Sequence, residues 1–133
     1  MEQGRYFTRD EANALLPAVR TLAERMVAYR AGLEQAQERL GGYLEKIAGN
    51  GGGLPPAELA EAHEAVEREA GGIARCVEGI QELGGMVKDV GEGLVDFLAS
   101  REGEDVLLCW RLGEDQIDHW HGLEEGFAGR KPL

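Results

Sequence analysis

The sequence predicts an α+β fold: a long antiparallel helical hairpin with a coiled-coil-like seam, then a small antiparallel β-meander and a short C-terminal helix. Three observations predict it. From Val19 to Gly84 apolar residues recur in alternating steps of three and four. After Gly84-Gly85 the period falls to two. Glycine, 20 residues of 133, gathers in clusters that punctuate the chain instead of making it low-complexity. This length fits a single domain over 1–133, with a helical segment at 9–84 and the meander plus helix at 85–133.

The first helix starts near Arg9. Thr8-Arg9-Asp10-Glu11 has the form of a capping box, in which Thr8 and Glu11 satisfy each other's backbone N–H groups, and Phe7 precedes it as a staple. Pro17 lacks the N–H that a helix interior needs and disfavours helix at Leu16, so a break or kink is expected there. Val19, Leu22, Met26, Tyr29, Leu33, Ala36, Leu40, Tyr43 and Ile47 then form a narrow seam, which Gly41-Gly42 weakens without ending. A loop at Gly49-Asn50-Gly51-Gly52-Gly53 leads to Pro55-Pro56, which open the second helix. Its seam reads Leu59, His63, Val66, Ala70, Ile73, Val77, Ile80 and Gly84, with His63 as a register-setting residue. Gly71-Gly72 predict either a kink or a close backbone approach.

Beyond Gly85 the strand formers come in short runs: Met86–Asp89, Leu94–Ala99 and Val106–Leu112. The turn chemistry between them leaves room only for hairpins. Val106, Leu108, Trp110 and Leu112 share one face of the last run; Leu107, Cys109 and Arg111 share the other. Gly113 ends it, Glu114–Leu123 reads as a short helix, and Phe127–Leu133 as an extended tail.

Composition narrows the function classes. A net charge of −11 repels phosphate backbones and anionic membrane surfaces, which disfavours nucleic acid and membrane as partners. The apolar runs are far shorter than a bilayer span, and the N-terminus lacks a signal-peptide core. Two cysteines, Cys76 and Cys109, without CxxC spacing fit reduced, buried thiols in a cytoplasmic protein. The chain has no GxGxxG, P-loop, HExxH or GxSxG motif, so nucleotide-dependent and serine-hydrolase chemistry lack support.

Chemistry is therefore sought in LCWRLGEDQIDHWH, Leu108–His121. On a helix, Glu114, Asp118 and His121 share one face, whereas His119 and His121 diverge; only a strand would align the two histidines. Glu114, Asp118 and His121, with Asp96 nearby, form a candidate O/N ligand set for a divalent transition metal. Asp96 and Arg111 are candidates for a cross-strand pair, and Arg111 gives Cys109 some of the electropositive setting a thiolate needs.

YFTRDEANALLP (6–17), ELGGMVKD (82–89), GLVDF (93–97) and the long C-terminal stretch LCWRLGEDQIDHWHGLEEGFAGRKPL (108–133) resemble the prokaryotic domain-of-unknown-function family numbered 2203. Its members sometimes carry a cell-division-initiation label, which fits coiled-coil likeness. The resemblance covers both ends and most of the C-terminal third, and the middle matches only in helical character. Its pattern places a carboxylate, a tryptophan and a histidine where this chain has Glu114, Trp120 and His121, whereas the family commonly has another residue at His119, and a proline where this chain has Leu98. It brings no established activity.

Two expectations follow. The four-heptad seam leaves an uncovered face, which predicts a homodimer acting as a helical scaffold or interaction module. The alternative is a small metal-binding protein or metal-dependent enzyme, with a metal or small-molecule site in the C-terminal third.

Overall fold

The computed structural model describes residues 5–50 and 56–133. Two helices, α1 (Arg9–Asn50) and α2 (Pro56–Leu83), precede a five-stranded antiparallel sheet, so the chain is α+β. The glycine-rich connection expected between the helices lies mostly outside the described residues.

The capping box forms as its residues dictate: Glu11 N–H donates to Thr8 Oγ1 at 3.0 Å, and Thr8 N–H donates to Glu11 Oε1 at 2.9 Å. The break expected at Pro17 does not occur, and α1 runs through it. Proline inside a helix costs roughly 3 kcal/mol. Here its ring is exposed, while Ala12, Leu16, Val19, Ala23 and Met26 on the opposite side are all buried. Burial of each larger side chain contributes about 1.5–3 kcal/mol, so the packing on either side of Pro17 holds the helix through it.

Contacts between the helices advance along α1 as they retreat along α2: Leu22 meets Gly79, Tyr29 meets Gly72, and Gly32 meets Glu69. The helices are therefore antiparallel. The buried line of α2 is Ala62, Ala65, Gly72, Cys76 and Ile80, whereas His63 and Ala70 of the expected seam are exposed. The reason is size. A side chain at Gly72 would overlap the Tyr29 ring, so small residues face α1 and let the backbones approach, while Val66, Ile73 and Val77 are turned half outward. Gly84 ends α2 in a left-handed conformation (φ +107°), with Gly85 N–H donating to Ile80 O and Gly84 N–H to Gln81 O, both at 3.0 Å.

The strands are β1 (Met86–Asp89), β2 (Leu94–Arg101), β3 (Glu104–Arg111), β4 (His119–Gly122) and β5 (Lys131–Pro132), and they are ordered in space as in sequence. The β2–β3 register is set by the tight turn at Glu102-Gly103, whose φ values of 54° and 84° suit a twisted two-residue hairpin. Val95, Phe97 and Ala99 of β2, with Val106, Leu108 and Trp110 of β3, form the face against the helices, and one apolar cluster joins them to Leu16, Val19, Met26 and Ile80. Phe7 seals its edge, its ring 5.4 Å from Phe97 in edge-on contact. No described helix is long and apolar enough to cross a membrane.

The short helix expected at Glu114–Leu123 is replaced by a turn, an irregular loop and strand β4. Three side chains from one side of α1 account for this by taking up the loop's backbone groups. Asn13 Oδ1 accepts from Ile117 N–H at 2.7 Å, Arg9 Nε donates to Ile117 O at 3.1 Å, and Arg20 donates to Asp115 O at 2.8 Å. Those groups are unavailable for helical bonds, and Ile117 enters the core with no exposed surface. The expected extended tail holds one 3-10 turn (Phe127–Gly129) before β5.

Candidate metal centre on the outer face of the sheet

Strand alternation sends the residues between the core positions to the opposite face. Asp96 lies directly across from Cys109, Cys109 across from His119, and Leu107 across from His121. An outer sheet face is usually wet, yet Asp96, Cys109 and His121 are 2%, 1% and 3% exposed. Their cover is the chain after β4, where Leu123, Gly126 and Phe127 join Lys88, Leu94 and Leu107 around a small cavity of about 110 Å³.

Within this buried cluster His121 Nε2 lies 3.1 Å from Asp96 Oδ2, and His121 Nδ1 lies 2.9 Å from Gly122 O. A carbonyl oxygen only accepts, so Nδ1 carries a proton and Nε2 faces the carboxylate. A hydrogen bond between Nε2 and Asp96 then requires one further proton shared by the pair. Burial pushes the Asp96 carboxyl above its ordinary range, opposed by His121, Cys109 and Lys88. Burial, and then the Asp96 charge, push the Cys109 thiol up to about 12, so without a counter-charge it stays protonated and unreactive. One donor atom from each of Asp96, Cys109 and His121 lies within 4.8 Å of the others. No other triplet of His, Cys, Asp and Glu converges in this way among the described residues.

Of the residues singled out from the sequence, the structure brings together Asp96, Cys109 and His121 and separates the rest. Glu114 instead receives Arg130 through two bonds of 2.6 and 2.9 Å and accepts from Arg111 N–H at 2.9 Å. Burial alone would raise its pKa, but Arg130 and the Arg111 amide outweigh it and hold the carboxyl below its usual value. Asp118 is about half exposed and pairs with Arg9 at 2.6 Å. Arg111 stands opposite Leu94 rather than Asp96; it points to Glu92 at 3.6 Å and lies over the Phe127 ring.

A helical reading turns His119 away from His121. In β4 it shares a face with His121, and its Nδ1 is buried with no hydrogen-bond partner among the described residues. The signal was the alternation H-W-H itself, with Trp120 packed against the core and both histidines turned away from it.

Arg130 also donates to Cys109 O at 3.1 Å, so the Glu114–Arg130 pair holds the covering segment on the sheet. Because Glu114's carboxyl is lowered on folding, its stabilisation is complete above the ordinary value of 4.5 and is lost as pH falls through the folded value. Glu114→Gln is expected to cost about 1–3 kcal/mol near neutrality. Urea unfolding should also show a weaker loss of stability below pH 4.5 in this variant than in the wild type.

Neither the curated proteins nor the solved structures contain a match to this chain. A family model described as "Uncharacterized conserved protein (DUF2203)" matches residues 5–133, which include both helices, the sheet and all three clustered donors. The chain belongs to that family.

Proposed function

We propose that the protein binds a divalent transition metal of the zinc class through Asp96, Cys109 and His121. The observation that carries this reading is the buried convergence of a carboxylate, a thiol and an imidazole within 4.8 Å. Thiolate, imidazole and carboxylate together suit zinc or cobalt better than the harder magnesium or calcium. The donors are also prepared. The Gly122 carbonyl fixes Nδ1 as the protonated nitrogen, the usual arrangement for a histidine that ligates through Nε2. Donors on one zinc ion lie within about 4 Å of each other, so the widest pair needs to close by about 1 Å at most. A bound dication also offsets the cost of two anionic groups in a buried site. Protein expressed without an affinity tag should contain close to one zinc or similar ion per chain by elemental analysis. His121→Ala and Cys109→Ser should each lower that occupancy at least tenfold. Wild-type protein free of metal after native expression, and unable to take up zinc, would overturn the reading.

A second reading is a helical scaffold that pairs two copies through the seam. It rests on the reach of α1, whose 42 residues span about 63 Å, well beyond the sheet. There Leu33, Leu40, Tyr43 and Ile47 are only half-buried, and Leu44 is 46% exposed. Light scattering should give twice the chain mass of 14.5 kDa at micromolar concentrations. A monomer throughout that range contradicts it.

A further inference from the structure

The geometry points to a ligand for this centre: we infer that the metal's fourth position takes a small carboxylate anion, which Lys88 helps to hold. This inference rests on the metal reading above. Three protein donors leave a tetrahedral ion one position short, the pattern of sites that exchange a water for a substrate. The remaining acid on the cavity wall, Glu125, is already committed, because its Oε1 accepts from Gly122 N–H at 2.8 Å and from Lys131 Nζ at 2.8 Å. It is not free to complete the shell.

What borders the position selects its ligand. The cavity adjoins all three donors and measures about 110 Å³, room for a short organic anion. Its other walls are Leu94, Leu107, Leu123 and Phe127, which suit a short alkyl group. Charge decides the head group. A dication with one carboxylate, one thiolate and a neutral imidazole is formally uncharged. Lys88, an exposed residue on the same wall, forms no ion pair among the described residues, so an uncommitted positive charge borders the position. An anion with a short apolar tail satisfies the metal, the ammonium and the leucines together. Binding displaces the metal-bound water and breaks no covalent bond.

Cobalt-loaded protein tests both levels separately. Cobalt should give visible ligand-field bands and a thiolate charge-transfer band that Cys109→Ser abolishes. Adding acetate or propionate should then change the visible bands saturably, with propionate tighter than acetate and bulky pivalate excluded. Lys88→Met, which keeps the stem and removes the charge, should weaken acetate about five- to tenfold in protein whose Cys109-dependent cobalt band still forms. A cobalt complex with the Cys109-dependent band but indifferent to all three anions would sink the ligand inference and leave the metal reading standing. Equal affinity in Lys88→Met would also contradict the inference. Failure to form the Cys109-dependent complex would overturn the metal reading, and the ligand with it.

Discussion

A carboxylate taken out of water must be neutralised or paired, and Asp96 sits in the middle of β2 with 2% of its surface exposed. Much of the C-terminal half follows from that one constraint. The partner is His121, which reaches across β3 from β4, and it arrives only if His119–Gly122 is a strand in register with Val106–Cys109. The segment from Gly113 to Asp118 must then cross the sheet end as a loop rather than coil into a helix. The chain after Gly122 must fold back to keep water off the pair. The Glu114–Arg130 clasp, the Lys131–Glu125 pair and strand β5 hold it there.

The same constraint ties the sheet to the helices. The crossing loop exposes backbone groups that need partners, and α1 supplies them from Arg9, Asn13 and Arg20. Ile117, at the centre of these bonds, enters the core beside Trp110, whose indole N–H donates to Glu114 O at 3.0 Å. One stretch of loop therefore links three things: the core, the clasp that closes the outer face, and the first turns of a helix that runs on far beyond the sheet.

Local chemistry made much of the fold legible. Thr8 and Glu11 announced the start of α1, Gly84-Gly85 the end of α2, and the alternation from Val106 to Leu112 the two faces of β3. Features that depend on distant partners were not legible. Pro17 lies inside a helix because the residues around it are packed against the sheet. The buried line of α2 is offset because the Tyr29 ring needs the space at Gly72. Glu114, Asp118 and His121 have helical spacing, yet Arg130 and Arg9 claim the first two from other parts of the chain. Asp96 and Cys109 were recognised as chemical groups, but their meeting with His121 depends on a four-residue strand too short to show a period.

His121 is held by Gly122 through Nδ1 and turns Nε2 toward Asp96, with Cys109 close by. Long-range proton–nitrogen NMR of the three histidines, in metal-free and zinc-loaded protein, tests it most directly. His121 Nδ1 should be protonated in both states, while Nε2 alone shifts to a metal-bound position when zinc is added. An unprotonated His121 Nδ1, or a zinc response confined to His63 or His119, would contradict it.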